Sequence, residues 1–180
     1  MAAGKTSVLV IGVVIIVALA ALGAYVIVDK SSSKMGTVSI YVKDLPDEWS
    51  HVNVTFSEVK IHAASAGNQS GWHTLKLQKQ TIDLASLVNV SELLASGNVS
   101  LGKYTQIRLV VISVTGVMTN GTAVNFTVPS GELKTTHPFN VTADQTQSFV
   151  LDIDLSHSIV HNSSGWTFKP VLGSITARSD

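Results

Sequence analysis

Cysteine is absent from this chain of 180 residues, which excludes a disulfide framework and thiolate chemistry. Charge is scarce. Only 13% of residues are charged, and twelve cations balance twelve anions, where a soluble domain carries about 25%. A neutral chain lacks the electrostatic footprint of a nucleic-acid binder, so no nucleic acid is expected as a partner. No glycine-rich phosphate loop is present. Asparagine outside a glycosylation sequon is missing too. Without disulfides, a domain outside the cell is held by its core, by sugar or by assembly. Roughly 145 residues beyond the N-terminal segment suffice for a sizeable core.

What is present begins with those sequons. The eight asparagines read Asn53-Val-Thr, Asn68-Gln-Ser, Asn89-Val-Ser, Asn98-Val-Ser, Asn120-Gly-Thr, Asn125-Phe-Thr, Asn140-Val-Thr and Asn162-Ser-Ser. None has proline in the middle position. Ser and Thr together make up 38 of the 180 residues, so chance alone would give this result on the order of once in a few hundred thousand. Asparagine used only as a sugar acceptor indicates a surface selected to carry glycan, outside the cytoplasm where an oligosaccharyltransferase reaches it. No cofactor is expected beyond covalent N-glycans.

The segment Val8 to Val28 has no charged side chain. As a helix it measures about 31 Å, enough to cross a bilayer. Three readings stay open: an uncleaved membrane anchor with its N-terminus inside, a secretory signal cut after Ala20 or Ala24, or a pilin-type leader cut near Gly4-Lys5 whose apolar helix is kept as an assembly spine. All three export the remainder. The expected organisation is a signal peptide or anchor over residues 1–30, a polar linker over 31–35 and a glycosylated domain over 36–180.

From Gly36 the apolar period becomes two, the signature of strands. Val52, Val54 and Phe56 share one face, but Val59 and Ile61 are out of step, which predicts a bulge near Ser57-Glu58. Lys103 to Val117 reads as the longest strand. Ile107, Leu109 and Val111 lie on one face, and Val110, Ile112 and Val114 predict a second half buried on both faces. Asn120-Gly121 between two alternating runs signals a hairpin. Further strands are expected around Trp72–Leu77, Ile82–Leu84, Ala123–Val128, Glu132–Thr135, Phe139–Thr142, Gln147–Leu155 and Trp166–Ile175. Ser86 to Ser96 is the one helical candidate. The predicted fold is all-β, an antiparallel β-sandwich with one short helical insert, preceded by an N-terminal apolar helix. Asn53, Asn125 and Asn140 then occupy outward positions of alternating strands. Asn68, Asn120 and Asn162 fall in turns, and Asn89 and Asn98 bracket the insert.

Constellations that carry chemistry are thin. His157 and His161 are four apart, but the residues around them read as a loop from Ser156 to Gly165. His51, His62 and His73 lack a ligand spacing. No metal site is expected. Asp152 and Asp154 project from one face of a strand and with Asp144 offer hard oxygens for calcium; a solvated strand face is the favoured reading. Ser158, His157 and Asp154 supply the residue types of a hydrolase triad without a nucleophile elbow. Trp49, Trp72 and Trp166 are candidates to stack on sugar, against a default of ordinary packing.

From Trp49 onward the chain resembles a prokaryotic domain family of unknown function found in secreted and surface-anchored proteins of archaea and bacteria. The stretches that carry the likeness are His51-Val-Asn-Val-Thr-Phe-Ser-Glu-Val-Lys-Ile-His62, Gly71-Trp72, Ile82-Asp-Leu84, Gly102-Lys-Tyr-Thr-Gln-Ile-Arg-Leu109, Val128-Pro-Ser-Gly131, Leu151-Asp-Ile-Asp-Leu155 and Phe168-Lys-Pro-Val171. The resemblance implies a β-sandwich at a cell surface and supplies no catalytic residues. The apolar leader, Ser/Thr content and sequon density also resemble archaeal extracellular filament subunits, threads and pili. The resulting expectation is a non-enzymatic, heavily N-glycosylated archaeal surface protein, extracellular, self-associating into filaments. The alternative is a membrane-anchored adhesion domain that recognises carbohydrate or protein. Mass spectrometry of protein from the native host is expected to find sugar on most of the eight sequons; sugar on only one or two would refute the glycoprotein reading.

Overall fold

The computed structural model describes residues 35–44, 49–65 and 71–178. The N-terminal apolar segment, most of the linker and Asn68 lie outside these residues. Twelve strands are described: β1 (Met35–Lys43), β2 (Trp49–Ala63), β3 (Trp72–Leu77), β4 (Thr81–Asp83), β5 (Glu92–Ser100), β6 (Gly102–Met118), β7 (Ala123–Asn125), β8 (Glu132–Val141), β9 (Thr146–Ile153), β10 (Ile159–Asn162), β11 (Gly165–Phe168) and β12 (Leu172–Arg178). The helical content among these residues is one 3₁₀ turn, Leu84–Ser86, and one α turn, α1, Leu155–Ser158.

The fold is built on β2 and β6, antiparallel neighbours along nearly their whole lengths. β2 carries β4 and β3 in succession on its other side, and β6 likewise carries β8 and β7. Both strands change phase at the same place. Phe56 faces Val111 while Glu58 faces Val110, so Ser57 is the extra residue of β2, as its out-of-step apolar pattern predicts. One rung away Thr55 faces Ser113, so Ile112 is the extra residue of β6. Each insertion shifts the side-chain alternation by one. Val52, Val54, Phe56, Val59 and Ile61 consequently all point inward, opposite Ile107, Leu109, Val111 and Val114. Ile112 is 55% exposed. The second half of β6 is therefore not buried on both faces; what looks like double burial in the sequence is a phase switch.

The ten-stranded sheet runs β12-β9-β1-β5-β3-β2-β6-β7, with β4 on β2 and β8 on β6. It is all-β and mixed rather than antiparallel throughout, because β1 pairs with β9 in parallel. It also curls. β9 and β8 belong to opposite ends of the strand order, yet the Phe139 and Phe149 rings lie 4.7 Å apart. A Cβ on Gly36 of β1 would come within 2.5 Å of the Thr142 carbonyl oxygen beside β8. Curling lets one sheet enclose its own core. β10 and β11 form a separate hairpin.

The expected helical insert at Ser86–Ser96 is not found. The 3₁₀ turn closes through the Leu87 N–H to Leu84 carbonyl bond, and Asn89 then adopts φ 61°, a left-handed conformation that asparagine tolerates and a helix does not. β5 follows, paired with β1 and β3. Ile40 faces Ala95 and Tyr41 faces Leu93, so Leu94 is a bulged residue. Leu94 and Ala95 are both buried. Two adjacent buried residues break the period of two and hide the strand from a pattern reading.

Leu109 is fully buried, and Leu109→Ala is expected to cost about 2–5 kcal/mol. Ile112→Ser, three residues along the same strand, should change stability by no more than about 0.5 kcal/mol. Urea unfolding of both variants checks the pair, and equal losses would contradict the phase switch.

Candidate functional site

The chemistry-bearing side chains fall into three places. The first is the sheet surface. Of the seven sequon asparagines described, Asn89, Asn98, Asn120, Asn125, Asn140 and Asn162 are exposed and Asn53 is half-buried. Asn53 owes its partial cover to its position in the interior of the sheet. It faces Asp83 of β4 on one side and Thr115 of β6 on the other, and Thr115 in turn faces Asn125 of β7. Two sequons thus share one rung, two strand spacings or about 9–10 Å apart. In the hairpin turns the side-chain amide oxygen is held by the sequon itself. Asn120 Oδ1 accepts from the Thr122 N–H at 2.9 Å, and Asn162 Oδ1 accepts from the Ser164 N–H at 2.9 Å. These are Asx turns. Asn98 Oδ1 accepts from the Thr37 hydroxyl at 3.0 Å.

The second place is an aromatic cleft where β2 begins and β6 ends. Trp49 pairs with Met118 across the two strands. Its indole lies over Gly116, where a Cβ would come 2.8 Å from the ring, so only glycine leaves the ring its seat. Trp49 meets Trp166 of β11 edge-on, with centroids 5.2 Å apart at 85°, and Phe126 at 5.2 Å. His161 stacks on Trp166 at 4.3 Å, across the β10–β11 hairpin. Trp49, Met118, Thr119, Asn120 and Trp166 line a cleft of about 560 Å³. Of the three tryptophans marked by the sequence, the fold brings two together. Trp72 stands apart, with the Arg108 guanidinium 4.2 Å from its ring centroid and His62 against its edge. Met118 and Phe126 were not among the sequence candidates, and His161 was weighed only as a metal ligand beside His157. Their convergence depends on strand register, which one chain's residue pattern does not display.

The third place is the α1 turn. Asp154 caps it. Oδ1 accepts from the Ser156 hydroxyl at 2.6 Å and the His157 N–H at 3.1 Å, and Oδ2 lies 2.7 Å from His157 Nδ1. The Ser156 hydrogen bond above all lowers the Asp154 pKa, with the His157 N–H and ring adding to it against the opposing effect of burial. Ser158 is fully buried; its hydroxyl donates to the Asp154 carbonyl at 2.5 Å and accepts from the Val171 N–H. Ser158, His157 and Asp154 thus form a turn, with the hydroxyl committed to backbone. Asp152 is not on a solvated face. It is 5% exposed and paired with Lys43 Nζ at 3.0 Å. Asp144 lies in the turn before β9, most of that strand away from Asp152.

The histidines are dispersed. His51 meets Asp83 at 2.7 Å, His73 meets Tyr104, His137 meets Phe149, and His157 and His161 point to different partners. Among the described residues no group of three or more His, Cys, Asp or Glu is placed to hold a metal ion, and no helix is long and apolar enough to cross a membrane.

The family model described as "Domain of unknown function (DUF4382)" matches residues 35–170. The chain belongs to that family. The DUF4382 match opens with the first residue of β1 and ends just past β11, so it contains the whole aromatic cleft; β12 lies beyond it. No match to the chain was found among curated proteins or solved structures.

Because the folded Asp154 pKa is lowered, its carboxylate stabilises the fold fully above the unfolded aspartate value of about 3.9, and that contribution is lost as pH falls through the lower folded value. Asp154→Ala is expected to cost about 0.5–2 kcal/mol at neutral pH, as the loss of a helix cap. The gap to the parent should narrow below about pH 4. Thermal midpoints of both proteins across pH 2–7 test this, and a pH-independent gap would contradict it.

Proposed function

We propose that this DUF4382 protein is a non-enzymatic, heavily N-glycosylated archaeal cell-surface structural protein, and that its sandwich-like domain is a subunit of an extracellular filament. The observation that carries the reading is the distribution of acceptors: every asparagine lies in a sequon, and none of those described is buried. Glycan at these positions would supply the solubility that a chain with 13% charged residues otherwise lacks. Export would use the apolar segment Val8 to Val28.

Assembly is supported by the state of the sheet edges. Among the described residues β12 has β9 on one side and no hydrogen-bonded strand on the other. β8 ends the sheet at the opposite side but carries Lys134 and Pro138, residues that discourage strand addition. β12 contains Gly173, Ser174 and Ala177, small residues that are exposed. An extended segment from a neighbouring subunit would add to that edge by backbone hydrogen bonds. The sequence from Tyr25 to Val42 holds two strand-like pieces, Tyr25–Val28 and Thr37–Val42, joined by the polar linker; Thr37–Val42 is already committed to β1, between β5 and β9. Tyr25-Val-Ile-Val28 is the piece left to donate. Head-to-tail donation gives an open filament unless the rotation closes it into a ring.

A second reading is favoured by the Trp49–Trp166 cleft, whose aromatic walls suit a membrane-anchored adhesion domain that recognises carbohydrate. Deleting residues 25–34 from secreted protein separates the two. Donor-strand assembly predicts folded monomers by sedimentation and no filaments in electron micrographs. Filaments of normal appearance would exclude donation.

A further inference from the structure

We infer that the aromatic cleft is the seat of the protein's own Asn120 glycan, so that this sequon is a structural attachment site where the first sugar packs against Trp49, Met118 and Trp166. The inference rests on the proposed glycosylation and goes beyond it by assigning one site a contact.

The sequon is part of the cleft. Asn120 itself lines it, together with two indoles, a thioether and Thr119. The volume of about 560 Å³ falls within the roughly 300–1,000 Å³ of small-molecule sites. No charged side chain lines it, which disfavours an ionic ligand. A pyranose suits it, because one ring face presents polarised C–H groups that pack on the electron-rich face of an aromatic ring.

The turn fixes where the sugar would start. Residues 118–122 are clamped by two backbone bonds, Gly121 N–H to the Met118 carbonyl and Met118 N–H to the Thr122 carbonyl, each 2.9 Å. Gly121 has φ 84°, in the left-handed region that favours glycine. The Thr122 N–H holds Asn120 Oδ1. Oxygen and nitrogen of the amide are thereby assigned different tasks, and Nδ2 is the attachment atom. In the covalent step Nδ2 loses one proton and bonds the anomeric carbon of a lipid-phosphate-linked sugar. The phosphate leaves with the electron pair of the broken C–O bond.

Tethering decides the occupant. A stacked ring is a weak contact for a free sugar. Attachment to Asn120 makes the contact intramolecular, with an effective concentration in the millimolar range. The same contact becomes populated without further hydrogen bonds. His161 stacks on Trp166 and Trp49 sits on Gly116, so both indoles are braced before any sugar arrives.

The test uses full-length protein from an N-glycosylating host, in three forms: parent, Thr122→Ala, which abolishes the Asn120 sequon and keeps Asn120, and Thr142→Ala, which abolishes the Asn140 sequon at the far end of the β6–β8 ladder. Site occupancy is read by mass spectrometry, alongside tryptophan emission and Tm. The inference expects Asn120 to be occupied, and Thr122→Ala to red-shift the emission and lower Tm by about 2–4 °C. Thr142→Ala should leave the emission unchanged. The same three proteins made without glycosylation should have the same emission. An occupied Asn120 with no difference between parent and Thr122→Ala would overturn the inference. So would a bare Asn120 beside other occupied sequons, which leaves the surface-glycoprotein reading intact. A chain with no sugar anywhere would overturn both.

Discussion

The β2–β6 ladder is the constraint on which the other elements depend. It is the longest pairing in the domain, and every strand of one half of the sheet hangs from one of its two members. Two strands of this length would twist out of register with a common core if their alternation were uniform. The extra residues at Ser57 and Ile112 fall one rung apart and correct the phase of both strands together. The loop before β8 is closed onto the same place. The Gly131 carbonyl accepts from the Val111 N–H, and a Cβ on Gly131 would collide with the Val111 carbonyl oxygen. Bend, phase and loop are thus fixed at one point, and the curl that brings β8 back toward β1 and β9 follows from it.

The aromatic cleft is a product of the same ladder's far end. Trp49 and Met118 form its last rung, the β6–β7 turn places Asn120 beside them, and Gly116 two residues back leaves room for the indole. Trp166 arrives from a hairpin outside the main sheet. Backbone bonds from the Thr127 N–H to the Trp166 carbonyl and from the Phe168 N–H to the Thr127 carbonyl tie that hairpin to the segment after β7 and hold Trp166 against the cleft. A sugar on Asn120 would meet both indoles there, whereas Asn140 lies at the far end of the β6–β8 ladder, away from them.

Much of the strand map was legible because alternation records which face is buried. The bulge at Ser57, the inward set Ile107, Leu109 and Val111, and the Asn120-Gly121 hairpin all announced themselves locally. Where a second bulge intervened, the pattern misled. Ile112 looked like the other buried face of a central strand, and Leu87, Leu93 and Leu94 looked like the docking side chains of a helix over Ser86–Ser96. In both cases an inserted residue broke the period that the reading depended on. Asp152 misled for another reason. Its alternation places it opposite Leu151 and Ile153, but solvent access was decided by Lys43 and Ser174 on neighbouring strands.

By itself the sequence determined an all-β domain from Gly36 on, the absence of cysteine chemistry and the confinement of asparagine to sequons, because composition and local periodicity need no knowledge of neighbours. It also marked three tryptophans without distinguishing them. Only the tertiary structure decided that Trp49 and Trp166 meet while Trp72 packs beneath Arg108, that one pair of strands runs parallel, and that Asn120, among the seven sequon asparagines described, lines the aromatic cleft. Those outcomes depend on register and sheet curvature. Both are set by contacts between residues far apart in the chain, and no local pattern records them.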